Sequence, residues 1–248
     1  MQRSHPLKTL NSIIFYTSCM LLLASCWQRN QFPADMAVAA DLLQAPAQQE
    51  SGDPVFTVTH KGITYRIEPR YHYDLKGLVV SYAHHDGNYS LHRLWNDHIN
   101  VADLCVVWSD NAQQLDLNRF RFWNGKFTCN FETDDTASWK RFRPDQISNN
   151  HLLTNDAGIR KALGKVSVGD QVHIRGWLAN YSNATGFSRG TSTTRTDTGN
   201  GACETIYVTD FSILQSMQTV WRSLLKLSAL GVISTSLIWL VAVVRGRF

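Results

Sequence analysis

From Thr191 to Val208 the chain reads TSTTRTDTGNGACETIYV. Three side chains in this polar, glycine-rich run can do chemistry: Asp197 and Glu204 as general acids or bases, and Cys203 as a nucleophile or disulfide partner. His151, in ISNNHLL, adds an imidazole, the side chain that titrates nearest neutral pH. Converging in one cleft, His151, Asp197 and Glu204 would form the catalytic set of a hydrolase. A structural use is equally concrete. Arg195 can clamp Asp197 or Glu204, Gly199 and Gly201 can turn the chain, and the His151 imidazole can bond a backbone carbonyl.

Asp197-Thr198-Gly199 is also the tripeptide of aspartic proteases. There it follows an apolar strand, and two such carboxylates share a proton. Here Thr193, Thr194, Arg195 and Thr196 precede it, and the chain holds no second copy, so that class is excluded. A G-x-S-x-G elbow, a phosphate loop and a dinucleotide fingerprint are absent as well. His84, His85 and Asp86, with His92 nearby, make a candidate metal cluster, but no acidic residue recurs at a ligand spacing. A polar loop after a strand is the plainer reading, and no cofactor is expected. Of five cysteines, Cys19 and Cys26 lie near the N-terminus. Cys105 sits in an apolar strand and reads as a buried free thiol. Cys129 and Cys203, flanked by polar and turn residues, are the expected disulfide, and closing so long a loop contributes about 4 kcal/mol.

The elements that must position these groups are mostly strands. GITYRIE alternates in period two, and KGLVVSYA and VADLCVVWS are apolar strand candidates. NRFRFWNGKFTCNFE reads as a hairpin turning at Asn124-Gly125. QVHIRGWLANY and ETIYVTDFSIL complete the set. One helix is expected at NDAGIRKALGKV, capped by Thr154 or Asn155. The fold class is therefore mainly β: a small OB-like barrel or sandwich with one helix. Gly176 is expected to let its strand bend for barrel closure.

Two segments lie outside such a domain. Thr9–Gln28 carries no charge and follows Arg3 and Lys8, the pattern of a signal peptide or signal anchor. Within it, Leu23-Ala24-Ser25-Cys26 has the form of a lipobox, which would make Cys26 a lipidation site. Leu227–Val244 is long enough to cross a bilayer and ends in the basic tail Arg245 and Arg247. The expected organisation is a signal or anchor over 1–27, a tether over 28–54, a β domain over 55–215, and a stalk with a transmembrane helix over 216–248. Net charge is +4 with scattered basic residues, which excludes a nucleic-acid footprint.

GLVVSYAHHDG, VADLCVVWSDNA, ISNNHLL, VSVGDQVHIRGWLANY and TSTTRTDTGNGACETIYVTDFSIL occur in that order. Together they resemble a family of uncharacterised bacterial proteins, exported or membrane-anchored, with HLIP-like and DTGxGACE-like motifs. The resemblance implies a bacterial, single-domain protein, exported or membrane-anchored, and carries over no established activity. The expected function is a non-catalytic binding or scaffolding module on the periplasmic side of the inner membrane. Its partners would be the lipid bilayer and another envelope protein, met by Trp123, Trp139, Trp177 and Tyr181. The hydrolase and the metal-binding protein are the alternatives.

Overall fold

The computed structural model describes residues 6–85, 91–194, 196–197 and 203–245. Arg3, Asp86, Arg195, Thr198, Gly199, Gly201 and Arg247, each given a part above, lie outside these. The chain divides into two compact units, Ala34–Met217 and the two terminal segments Met1–Pro33 with Gln218–Phe248.

In chain order the elements are α1 (Pro6–Gln28), β1 (Ala47–Glu50), β2 (Phe56–His60), β3 (Ile63–His84), α2 (Leu91–Leu94), β4 (Asn100–Val107), α3 (Ser109–Gln113), β5 (Arg121–Asn124) and β6 (Cys129–Glu132). There follow α4 (Thr136–Arg141), β7 (Ile147–Leu153), α5 (Ala157–Leu163), β8 (Gln171–Asn183), β9 (Ser188–Arg189), β10 (Cys203–Gln215) and α6 (Val220–Val244). The β unit thus holds four short helices among its described residues, where the sequence pattern predicts one. The expected helix is α5, and its cap is Asp156, whose Oδ1 accepts from Ile159 N at 2.8 Å.

Five strands close on themselves in the order β3, β4, β7, β10, β8 and back to β3. Every neighbour in this ring is antiparallel except β7 with β10. GITYRIE and KGLVVSYA turn out to be one 22-residue strand, β3. Register irregularities at Pro69/Tyr71 and at Val79/Ser81 let its first part pair with β8 and its last part with β4. Leu104, Val106, Leu152, Val172, Ile174, Ile206 and Val208 meet in one core, with Leu163 of α5 and Val166 after it. Strand β7 carries the polar run Ser148-Asn149-Asn150 inside the sheet. It is tolerated because Asn150 Nδ2 donates to Ser148 Oγ at 2.8 Å and to the Leu104 carbonyl at 3.2 Å.

Gly176 matters for a different reason from the one its sequence context implies. A Cβ there would collide with the Tyr207 carbonyl, so glycine is what lets β8 and β10 lie together. Residues 34–54, expected as a tether, belong to the folded unit. Leu42 is fully buried, β1 pairs with β3, and the Gln171 side chain holds the Ala37 carbonyl and the Ala39 amide at 2.6 and 2.9 Å.

The β5–β6 hairpin forms a separate two-stranded layer. Its turn is a four-residue loop closed by Gly125 N donating to the Thr128 carbonyl, because Asn124 is used as a strand residue opposite Cys129. Asn124 is itself held by Ser81 Oγ at 2.5 Å. A disulfide joins Cys129 to Cys105 of β4, with Cα atoms 5.5 Å apart. This corrects both cysteine expectations: Cys105 is not a free thiol, and Cys129 does not bond Cys203, which is free. The 24-residue separation gives a loop-closure stabilisation of about 3 kcal/mol.

In the terminal unit, α1 and α6 are both long and apolar enough to cross a membrane. They pack antiparallel: Asn11 Nδ2 donates to the Thr235 carbonyl, Gly231 faces Ser18, and Arg222 Nε donates to the Arg29 carbonyl. The buried positions are small, Ser18 and Ser25 on α1 and Ser228, Thr235 and Ala242 on α6. Large apolar residues such as Ile13, Met20, Ile233 and Leu237 face outward. Small residues inside and large apolar ones outside is the pattern of helices packed in lipid.

The close approach at Gly176 makes a direct prediction. Gly176→Ala should destabilise the folded β unit by about 3 kcal/mol, read as a lower midpoint in denaturant unfolding followed by near-UV circular dichroism.

Candidate active site

Strand register brings one set of side chains together on the outer wall of the ring. Asp103 of β4 lies opposite His151 of β7, and His151 lies opposite Thr205 of β10. One row along, Asn149 sits between Cys105 and Cys203. Side chains alternate along a strand, so Asp103, Asn149, His151 and Cys203 share a face while Leu104, Leu152 and Ile206 point into the core. The segment after β9 runs beside Cys203: Ser192 N donates to the Cys203 carbonyl at 2.9 Å, and Thr205 Oγ1 to the Gly190 carbonyl at 2.9 Å.

His151 Nδ1 donates to Asp103 Oδ1 at 2.7 Å, and each side chain is only 2% exposed. The same carboxylate oxygen lies 3.2 Å from His85 Nε2. On the far side of the ring, the Asn149 amide nitrogen is 3.4 Å from His151 Nε2 and donates to Cys203 Sγ at 3.6 Å. Cys203 is half-buried, and its thiol donates to the Phe127 carbonyl at 3.5 Å. The Asn149 amide nitrogen therefore lies between cysteine and imidazole, and the imidazole is bonded in turn to the carboxylate.

The electrostatics follow from burial set against pairing. Burial opposes charge on Asp103, but the bond from His151 and the nearby His85 imidazole outweigh it and hold the carboxyl below the usual carboxylate range. Burial also opposes charge on His151. Its bond to Asp103, then its bond with Cys203, reverse that and raise it from 6.5 to about 9. At neutral pH the site is an imidazolium held between a carboxylate and a sulfur.

The hairpin loop roofs this site. Phe127 has φ of 63°, a left-handed conformation that strains a bulky residue by roughly 1–3 kcal/mol. Its carbonyl receives the Cys203 thiol and, at 2.9 Å, the Asn149 amide. Its ring meets His151 edge-on at 6.2 Å and stacks on Trp95 at 5.4 Å. A second buried relay adjoins the first. His92 Nδ1 lies 2.7 Å from Asp97 Oδ2, which also accepts from Tyr181 Oη at 2.8 Å, and the His92 and His85 rings are 4.1 Å apart. Burial, then the Asp97 charge, push the Tyr181 hydroxyl well above its ordinary value.

Of the residues expected at a site, His151 is central, and the carboxylate that serves it is Asp103. Glu204 alternates to the opposite face from Cys203, in register with Asn150. Asp197 accepts instead from Ser192 Oγ. His85 and His92 stack, but His84 leaves β3 on the other face and packs on Tyr82, so the three do not form one cluster. Among the described residues no group of three His, Cys, Asp or Glu side chains has a metal-binding arrangement. The four aromatics do not share one outward surface. Tyr181 is buried, and Trp177 packs on Phe56 and Tyr207 and donates to Asp53. Trp123 and Trp139 remain exposed, at 38% and 54%. Two signals in the sequence bear on this set. Asp103 is a lone charge in an apolar strand, which demands a buried partner. Three cysteines in one domain leave one thiol over.

The raised His151 value carries a sign. The ion pair stabilises the fold fully below about pH 6.5, and this contribution is lost as pH rises through about 9. Asp103 acts in the opposite sense, stabilising above 3.8 and losing its contribution in strong acid. Unfolding free energy of the wild type should fall by about 3 kcal/mol across the alkaline window, and Asp103→Asn should abolish that fall. Denaturant titrations at stepped pH measure the difference.

No known protein family, curated protein or solved structure matches the chain, so the chemistry of the site is read from its own atoms.

Proposed function

We propose that this chain is a membrane-anchored enzyme of the bacterial envelope that uses Cys203 as a nucleophile in acyl transfer or hydrolysis. The observation that carries the reading is the buried Asp103–His151 pair with Cys203 beside it, the Asn149 amide nitrogen lying between the sulfur and the imidazole. The thiolate is the attacking species of a cysteine nucleophile. Cys203 Sγ would bond to the carbonyl carbon of the substrate. His151 Nε2 would give its proton to the leaving group, and Asp103 would keep Nδ1 protonated and aimed. The Asn149 amide is placed to donate to the oxyanion that forms. In hydrolysis, water then attacks the thioester carbonyl carbon, the now neutral His151 takes the water's proton, and the carbon–sulfur bond breaks to release the acid and restore the Cys203 thiolate.

The ring supports an OB-like reading: strands 1-2-3-5-4-1, a parallel closure between the third and fifth, and a helix between the third and fourth. The disulfide supports an oxidising compartment, the periplasm. Antiparallel pairing of α1 with α6 supports retention of α1 as an anchor, because cleavage before Cys26 would remove its half of the seam. The bilayer is then the first partner. Exposed Trp123 and Trp139 favour a second reading in which the hairpin layer also binds another envelope protein.

Two measurements test this. Iodoacetamide should alkylate Cys203 of the detergent-solubilised full chain faster at pH 7 than it alkylates glutathione, with His151→Asn slowing the reaction about tenfold. Equal rates in both proteins, no faster than glutathione, would sink the nucleophile reading. Intact mass of the membrane-extracted protein should include residues 1–25; a lipid-modified chain starting at Cys26 would refute the retained anchor.

A further inference from the structure

A cation near this site that the reaction above leaves unused is Arg189, whose guanidinium lies over the Phe127 ring. It follows directly on the pairing of β9 with β8, opposite Tyr181. The residues after it are laced to the strand of the nucleophile. Ser192 N donates to the Cys203 carbonyl, Thr205 N donates to Thr191 Oγ1 at 3.0 Å, and Thr205 Oγ1 donates to the Gly190 carbonyl. The guanidinium lies 4.2 Å above the centre of the Phe127 ring, the same residue whose carbonyl touches the Cys203 thiol.

This guanidinium is under-used. Its Nη1 is buried and has no hydrogen-bond partner. An unmatched buried donor on a cation is destabilising, and a bound group that supplies the acceptor removes that penalty. Its neighbour Arg66 is not in that condition, since Arg66 Nη1 pairs with Glu68 at 3.3 Å. The register of β9 on β8 puts Arg189 on the face of Tyr181, the outer face that also carries Cys203, whereas the cleft of Arg66, Glu68, Asn180 and Ser182 opens on the opposite face. The Arg189 charge is also felt at His151, where it acts against the imidazolium.

We infer that Arg189 binds a carboxylate on the substrate, so that the site takes anionic acyl compounds and presents their carbonyl to Cys203. A guanidinium matches a carboxylate in shape as well as charge. The inference rests on the nucleophile reading of Cys203. The bland alternative is that Arg189 only packs on Phe127, and a methionine at 189 preserves most of that packing while removing every donor.

The test compares two alkylating probes on the detergent-solubilised full chain at pH 7, with labelling of Cys203 mapped by mass spectrometry. Iodoacetate carries a carboxylate and iodoacetamide does not. In both reactions Cys203 Sγ bonds to the probe carbon and iodide leaves. The wild-type rate ratio of iodoacetate to iodoacetamide should exceed that of glutathione by fivefold or more. Arg189→Met should bring it down to the glutathione value, and Arg189→Lys, which keeps the charge without the planar fork, should fall between. A ratio unchanged in Arg189→Met, with Cys203 still more reactive than glutathione, overturns the carboxylate inference alone. Cys203 reacting no faster than glutathione with either probe in the wild type overturns the nucleophile reading and this inference with it.

Discussion

A carboxylate sealed between two layers of protein must be met by donors, and Asp103 is such a group. It lies between the wall of the strand ring and the β5–β6 hairpin, and it is met by two imidazoles. Meeting that demand sets much of the local geometry. His151 is drawn across from the neighbouring strand and held by Nδ1, so its Nε2 has one direction left, toward Asn149 and Cys203. His85 is drawn in from the end of β3, and its ring brings His92 with Asp97 and Tyr181 behind it. Losing the carboxylate would leave a buried imidazole with no counter-charge, a larger penalty than the lost bond alone.

The roof over the site depends on a covalent tie. A two-stranded hairpin is marginal in isolation. Here the Cys105–Cys129 bond and the Ser81–Asn124 contact fasten it to the ring, and the aromatic cluster of Phe120, Phe131, Trp139 and Phe142 gives it a small core of its own. That fastening lets Phe127 hold a left-handed backbone. The conformation turns its carbonyl to the thiol and the Asn149 amide, while its ring lies between His151, Trp95 and Arg189. Strain concentrated at a functional position, supported by packing elsewhere, is a recurrent arrangement. Disulfides persist in oxidising compartments, and α1 and α6 are both long and apolar enough to cross a membrane.

Much of the framework was legible in the residues. Period-two runs located β4, β8, β10 and both hairpin strands, and the capped amphipathic stretch located α5. Uninterrupted apolar length located α1 and α6, because crossing a bilayer is a one-dimensional requirement. His151 stood out as a histidine among polar and apolar neighbours. The stretch Gln28–Pro54 was misleading, since its alanines and glutamines read as linker composition while Leu42 and Gln171 lock it down.

The limit was reached at pairings. Three cysteines in one domain allow three disulfides, and flanking polarity favoured Cys129 with Cys203 over the bond that geometry makes. Asp197 and Glu204 are close to Cys203 in the chain, yet Asp103, a hundred residues away, is the partner of His151. The residues by themselves determined most of the strands and which segments are apolar enough to cross a membrane, because those properties are local. Only the closed ring decided which reactive groups share a face. That choice turns on strand register, where a slip of one residue sends Glu204 outward and Cys203 into the core.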